Sequence, residues 1–188
     1  MINEGKRKEG QYIITERLME QIANGDEEAF TTLYNNTSKA IYSYILSLVK
    51  DHHLAQDFMQ DTYLSIRQSI SLYQPYQKPM AWIFRIARNH VYSYFRTQQQ
   101  KGNNEYHDER LYEAQSYSIE ENKLDKVVLQ TALQKLNEKE RTVIILNVIN
   151  GYKFREIACY LELPLGSVLA SYHRGIRKLK SNLKEIIE

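Results

Sequence analysis

The residues of this sequence that could do chemistry are first of all its cations, which concentrate in two segments that contain no acid. Between residues 79 and 101 the cations are Arg85, Arg88, Arg96 and Lys101. Between residues 166 and 184 they are Arg174, Arg177, Lys178, Lys180 and Lys184. Cations gathered along a helix attract polyanions, so the pattern predicts two separate polyanion contacts. Charge alone also fits the solvated face of an ordinary helix, and this alternative stays open.

The segment from Gly102 to Asp125, which follows the first basic stretch, has the opposite charge. Its acids are Glu105, Asp108, Glu109, Glu113, Glu120, Glu121 and Asp125, against two cations, Arg110 and Lys123. DNA would repel such a segment. High polarity without a sustained hydrophobic period predicts a linker over residues 101–123.

Other kinds of chemistry find little support in the sequence. The five histidines are scattered, Cys159 is the single cysteine, and no glycine-rich phosphate loop occurs. We therefore expect no enzyme, no metal, no cofactor and no small-molecule substrate. The sequence has no run of about 20 apolar residues and does not start with a signal peptide, so we expect a cytoplasmic protein without membrane insertion.

The elements that position these residues are predicted to be helices. Only 7 Gly and 3 Pro occur among 188 residues, and 43% of the residues are hydrophobic, which favours two small all-α domains. A polar tail over residues 1–14 precedes a helical domain over residues 15–100. After the linker, a helix-turn-helix domain occupies residues 124–188.

In the N-terminal domain, hydrophobic spacing predicts helices over residues 15–23, 27–50 and 51–70. Asp26 and Asp51 are expected to cap the second and third of these. After a loop over residues 72–78, Pro79 should begin a fourth helix. This helix is expected to bury an apolar side that includes Trp82. Its outward side is predicted to carry Arg85, Arg88, Asn89, Tyr92 and Arg96.

In the C-terminal domain, a helix from Leu124 should be followed by one that Asn137 caps, with an apolar series through Ile149 and an end at Gly151. Helices over residues 154–161 and 166–187 form a helix-turn-helix, whose second helix enters the major groove in DNA-binding proteins. Its candidate DNA contacts are Ser167, Ala170, His173, Arg174, Arg177 and Lys178. Of these, His173 and Arg174 suit base edges, and Arg177 and Lys178 suit phosphates.

Several short motifs, taken in order, resemble those of the extracytoplasmic-function sigma factors, small alternative initiation subunits of bacterial RNA polymerase. Upstream, the matches to D-x-x-A-F-x-x-L-Y, A-E-D-L-x-Q-E and W-L/I-x-x-I-A-R-N are DEEAFTTLY at 26–34, LAQDFMQD at 54–61 and WIFRIARN at 82–89. Downstream, the matches to the family's fourth region are ERTVIIL at 140–146, EIA at 156–158 and PLGSV at 164–168. The resemblance covers residues 26–183, nearly the whole chain.

This resemblance implies a role for each part of the chain. Core RNA polymerase would contact the third helix through Asp57, Gln60 and Asp61. The outward face of the fourth helix would hold the melted strand of the minus-10 promoter element, since aromatic rings stack on unpaired bases and guanidinium groups bind phosphate. The loop before it would capture an extruded base through Tyr73, Gln74 and Tyr76. The helix-turn-helix would bind the minus-35 element, and an anti-sigma protein is left open as a further partner.

A few positions depart from the family's usual residues. Leu169 and Ser171 stand where cations are usual, Gln56 replaces a glutamate, and Glu162 replaces the glycine of the turn. We expect weaker minus-35 binding from the missing cations, and a left-handed backbone or a reshaped turn at Glu162. Two other functions stay open: a DNA-binding regulator that never joins polymerase, and a sigma-like interaction protein that has lost promoter reading.

Overall fold

The computed structural model describes residues 14–75, 78–100 and 123–187, without the side chains of residues 123–127 and 187. Within these ranges the chain forms eight α-helices and no strand, as predicted. The helices are α1 (Glu16–Ala23), α2 (Glu27–Val49), α3 (His52–Ser69), α4 (Pro79–Gln100), α5 (Lys123–Gln134), α6 (Glu138–Ile144), α7 (Phe154–Tyr160) and α8 (Leu165–Ile187). The predicted tail and linker lie almost wholly outside the described residues. None of the described helices is long and apolar enough to cross a membrane.

Side-chain caps fix where several helices begin. The Asp26 carboxylate accepts two hydrogen bonds from backbone amides in the first turn of α2, both at 3.0 Å. Asp51 and Asn137 each accept one at 2.9 Å, at the starts of α3 and α6. A cap of this kind satisfies amides that have no partner within the helix and contributes about 1 kcal/mol. The three caps confirm the predicted starts of these helices.

In the N-terminal half, residues 14–75 and 78–100, α1 to α4 pack around an apolar core that continues into the C-terminal half through Val143, Leu146 and Ile157. On α4, Ile83, Ala87 and Val91 have no exposed surface, so the predicted inward side of this helix is confirmed. Trp82 is 8% exposed, and its ring packs edge-on against Tyr73 with the centroids 5.1 Å apart. Trp82 is therefore part of the core rather than a base-stacking residue.

The C-terminal half, residues 123–187, is organised around the crossing of α6 and α8. At Gly175, a β-carbon would lie 2.7 Å from Ile144 Cδ1 and 3.1 Å from Glu140 Cβ. Glycine thus allows the two helices to approach more closely than a larger residue would. The close crossing buries Glu140 beneath α8, with 1% of its side chain exposed.

The segment after α6 corrects one prediction. Ile145–Ile149 form a π-helical turn, which adds a residue to the turn and changes the direction in which later side chains point. Val148 and Ile149 are consequently 59% and 49% exposed, so a regular apolar series through Ile149 is wrong. The predicted stop is confirmed, because Gly151 adopts a φ of +72° directly after the turn.

The two halves pack directly on each other, which the sequence did not predict. α2 lies against α6 and the π turn, and α4 lies against α7. The hydroxyls of Ser47 and Thr142 are 2.8 Å apart, and Arg141 Nε donates to the Ser47 carbonyl at 2.7 Å. The rings of Phe84 on α4 and Tyr160 on α7 are stacked, with centroids 5.3 Å apart. These contacts hold the C-terminal half against α2 and against the part of α4 that carries the buried Phe84.

Candidate nucleic-acid and polymerase interfaces

The predicted polymerase-binding residues lie together on the surface of α3. Asp57, Gln60 and Asp61 are all exposed, whereas Phe58 and Thr62 turn into the core. Helical spacing of three and four residues brings the three polar side chains onto one face. The exposed Leu64, one turn further on, extends the same face with an apolar side chain. Sequence analysis missed Leu64, although its position one turn after Gln60 would have placed it on this face.

The outward side of α4 has the predicted composition. Asn89 and Arg96 are exposed, and so is Tyr92, at 43%. Arg85 and Arg88 are partly covered, with 43% and 26% of their side chains exposed. These five residues form what we call the α4 basic face. It joins cations, an amide and an aromatic ring on one side of a helix, a combination that suits single-stranded nucleic acid.

Acids of the C-terminal half occupy part of the α4 basic face. Glu162, in the turn between α7 and α8, accepts a hydrogen bond from Arg88 Nη2 at 2.6 Å, and its other oxygen is 3.9 Å from Arg85. Glu138, at the start of α6, accepts one from the Tyr92 hydroxyl at 2.7 Å. Sequence reasoning missed both acids because they are 74 and 46 residues away from their partners.

The surroundings of Tyr92 and Arg88 raise the pKa values of both side chains. Burial and the hydrogen bond to Glu138, together with the charge of Glu138, raise the pKa of Tyr92 to about 12. Burial lowers the pKa of Arg88, but the hydrogen bond to Glu162 and neighbouring groups outweigh it, and the net direction is upward. Tyr92 therefore remains a hydrogen-bond donor and Arg88 a cation at neutral pH.

The loop residues predicted to capture a base have different surroundings. The Tyr73 hydroxyl donates to both carboxylate oxygens of Glu16, at 2.8 and 2.9 Å, and its half-buried ring lies against Trp82. Burial, followed by the hydrogen bond to Glu16, raises the pKa of Tyr73. Gln74 is exposed, and Tyr76 lies outside the described residues. Tyr73 is thus tied into the fold, and its role in binding a base stays a prediction.

The second helix of the helix-turn-helix, α8, presents most of its predicted DNA contacts outward. Ser167, His173, Arg174, Arg177 and Lys178 are exposed, and Ala170 is half-buried. Two of these cations, however, also lie beside a buried carboxylate of the protein. Lys178 Nζ is 2.9 Å and Arg174 Nε is 3.5 Å from the buried carboxylate of Glu140. His173 and Arg177 have no acid beside them in the described part of the chain.

The departures from the family pattern have distinct structural outcomes. Glu162 has a φ of +55°, so the predicted left-handed turn is confirmed. Ser171 is 3% exposed and faces the helical core, and the weaker minus-35 binding expected from the missing cations stays a prediction. Leu169 lies with Leu165 and Phe154 around an open hollow of about 520 Å³ at the start of α8. The change at Leu169 therefore replaces a cation by an apolar side chain on the outer surface.

Comparisons with known proteins show family matches over two parts of the chain. Residues 33–101 match the sigma-70 region 2 family, and residues 126–179 match sigma-70, region 4. RNA polymerase sigma factor CarQ of Myxococcus xanthus is 26% identical, over 89% of this chain and 97% of its own length. ECF RNA polymerase sigma factor SigX of Bacillus subtilis is 26% identical, over 86% of this chain and 87% of its own.

Two solved structures share the fold. The sigma factor RpoE of Bartonella quintana, in complex with the anti-sigma factor NepR, has a TM-score of 0.68 and 22% identity. The match covers 84% of this chain and 98% of RpoE. CnrH, in complex with the cytosolic domain of CnrY, has a TM-score of 0.65 and 24% identity, over 90% of this chain and 96% of its own.

Proposed function

Because this chain belongs to the extracytoplasmic-function sigma factors, which bind core RNA polymerase and direct promoter-specific initiation, we propose that three of its surfaces divide that work. The exposed face of α3 binds polymerase, the α4 basic face holds melted minus-10 DNA, and α8 docks at the minus-35 element. The observation that carries the proposal is the α4 basic face itself, which turns outward directly opposite the buried Ile83, Ala87 and Val91.

The proposed polymerase-binding face of α3 consists of exposed residues. Asp57, Gln60 and Asp61 lie outside the helical core, so substitutions there should not disturb folding. The double variant Gln60→Ala with Asp61→Lys should weaken co-purification with core polymerase. Asn35→Ala, on the exposed side of α2, is the matched control. Unchanged polymerase affinity in a folded double variant would remove α3 from the proposed interface.

The α4 basic face carries chemical groups that can bind unpaired bases. The Asn89 amide can both donate and accept hydrogen bonds to an unpaired base, and the Tyr92 ring can stack on one. Asn89→Ala and Tyr92→Ala should leave polymerase binding intact and reduce promoter opening, measured by permanganate reactivity of unpaired thymines. Ser93→Ala, exposed on the same helix, is the control. Normal reactivity in both variants contradicts this assignment.

For α8, we propose that Ser167, Ala170 and His173 face bases while Arg177 binds phosphate. Arg174 and Lys178 would share their charge between DNA and Glu140. Transcription from promoters with randomised minus-35 bases tests this surface. A wild-type protein without any preference there would favour the alternative of a helical domain kept for protein contacts.

The remaining attributes follow from the same proposal. Sigma factors are DNA-binding regulatory proteins, and we propose that this chain catalyses no reaction of its own, needs no cofactor and acts in the cytoplasm beside polymerase. RpoE was solved in complex with the anti-sigma factor NepR, and CnrH in complex with the cytosolic domain of CnrY. An anti-sigma protein is accordingly a proposed partner here, and co-purification from the native host tests it.

A further inference from the structure

The contact between Glu162 and the α4 basic face joins the two halves of the chain at the place proposed to hold DNA. Arg88 Nη2 donates a hydrogen bond to the Glu162 carboxylate at 2.6 Å, and Arg88 Nη1 donates one to the Leu161 carbonyl at 3.3 Å. Glu162 also approaches Arg85 at 3.9 Å. A carboxylate and a phosphate oxygen use the same guanidinium donors. Glu162 therefore occupies positions that a nucleic-acid phosphate would need.

The backbone at Glu162 indicates that this contact comes with strain. Its φ of +55° lies in the left-handed region, which glycine adopts freely and a residue with a β-carbon does not. Nothing in the turn itself requires a charged side chain. Within the described residues, the interactions of the Glu162 side chain are those with Arg88 and Arg85. The carboxylate is thus held by contacts across the two halves rather than by the turn that carries it.

Further contacts set the register in which Glu162 meets Arg88. Phe84 on α4 stacks on Tyr160 and meets the edge of Tyr152, with centroids 5.3 and 6.5 Å away. Glu138 accepts the hydrogen bond from Tyr92 one turn further along α4. Two acids and an aromatic cluster of the C-terminal half therefore lie over one side of α4. While they remain there, the guanidinium of Arg88 and the hydroxyl of Tyr92 are engaged by acids of the protein itself.

We propose that Glu162 is an intramolecular latch, whose carboxylate stands in for a DNA phosphate on Arg88 and keeps the C-terminal half closed over the α4 basic face. The DNA part of this inference rests on the proposed function of α4. The closed arrangement lowers the apparent affinity for single-stranded DNA by the fraction of molecules that are open. Polymerase or promoter DNA must displace the carboxylate before α4 can bind a strand.

Two substitutions of Glu162 test the latch without endangering the fold. Glu162→Gln removes the charge at constant size, and Glu162→Gly also removes the backbone strain. Glu185→Gln is the matched control, because Glu185 pairs with Lys135 inside the C-terminal half. Since the pair with Arg88 is partly exposed to water, each Glu162 variant should raise the ratio of open to closed molecules roughly two- to fivefold. Circular dichroism verifies that each variant keeps its helices.

The first measurement is the distance between the halves in the full chain. Spin labels at Gln68→Cys on α3 and Lys184→Cys on α8, in a Cys159→Ser background, use positions on exposed helix surfaces. The wild-type chain should give mainly one distance, and both Glu162 variants should add a second population at a different distance. Glu185→Gln should leave the distribution unchanged. If neither Glu162 variant alters it, the latch is refuted.

The second measurement separates the latch from the proposed function of α4. The probe is a fluorescein-labelled oligothymidine of about 12 nucleotides, whose binding is followed by anisotropy. Opening should raise its affinity by the same two- to fivefold factor, and Asn89→Ala should reduce the gain. If the distances change but the affinity stays unchanged, the role of α4 in binding DNA is wrong and the latch stands as a contact between halves. If the affinity rises without any change in distance, the latch is wrong.

Discussion

The buried carboxylate of Glu140 offers a sharp test of what two cations of α8 do. Its side chain is 1% exposed, with Lys178 Nζ at 2.9 Å and Arg174 Nε at 3.5 Å. Lys178→Met removes the nearer charge and keeps the length of the apolar stem. Glu140 would then remain buried with only the more distant cation, and no large cavity would form.

The expected effect follows from the burial of the two partners. Removing one member of a fully buried ion pair costs on the order of 3 to 5 kcal/mol. Here Arg174 remains, and 52% of the Lys178 side chain is exposed, where water screens the pair. We therefore expect Lys178→Met to lower the free energy of unfolding by about 1 to 2 kcal/mol. In a Glu140→Gln background, which lacks the carboxylate charge, Lys178→Met should lower the free energy of unfolding by about 1 kcal/mol less than it does in the wild type.

Urea unfolding of the full chain, followed by circular dichroism, measures these changes as shifts of the midpoint at constant slope. Arg177→Met is the matched control, because Arg177 is exposed and has no acid beside it among the described residues. Its effect should stay within about 0.5 kcal/mol. If Lys178→Met has the midpoint of the wild type, or if the two substitutions are simply additive, the pair does not stabilise the fold and both cations are free for DNA.

Gly175→Ala should lower the free energy of unfolding by about 1 to 3 kcal/mol, because its β-carbon would lie 2.7 Å from Ile144 Cδ1, and an unchanged thermal midpoint would contradict the close crossing of α6 and α8. Leu169→Arg should steepen the salt dependence of minus-35 DNA binding by about one unit, measured by anisotropy at several salt concentrations, and an equal slope would show that position 169 does not face phosphate. Since the pKa of Tyr92 is raised from 10.0 to about 12, its stabilising contact with Glu138 should be present below pH 10 and lost as the pH rises to about 12. Carbon-13 NMR of labelled tyrosine should show a lower Tyr92 pKa in Glu138→Gln, and an unchanged value would refute that cause.

The parts of the fold that were predictable are those governed by neighbours along the chain. Helix starts could be predicted at Asp26, Asp51 and Asn137, because a short polar side chain can accept hydrogen bonds from backbone amides two or three residues ahead. The two sides of α4 could be separated because the spacing of Ile83, Ala87 and Val91 matches the helical period. The same spacing placed Trp82 in the core.

The parts that were missed depend on contacts between distant residues. No local pattern says that Lys178 and Arg174 neutralise Glu140, because this pairing requires the crossing of α6 and α8. The contacts of Glu162 and Glu138 with α4 likewise require the two halves to meet. The π turn at Ile145–Ile149 was missed for a related reason: the apolar series there fits a regular helix, and tertiary packing selects the altered phase.

The interface between the halves has two chemically different ends, and this difference gives the closed arrangement a temperature dependence. At the α2 end the contact is polar, through the hydroxyls of Ser47 and Thr142 and the guanidinium of Arg141, all of which water can hydrate after separation. At the α4 end, the stacked rings of Phe84 and Tyr160 lie beside the polar contacts that Glu162 and Glu138 make with α4. Attraction between apolar surfaces weakens on cooling, whereas hydration of the polar groups is already favourable. Cold should therefore loosen the aromatic end first and expose α4 in a larger fraction of the molecules.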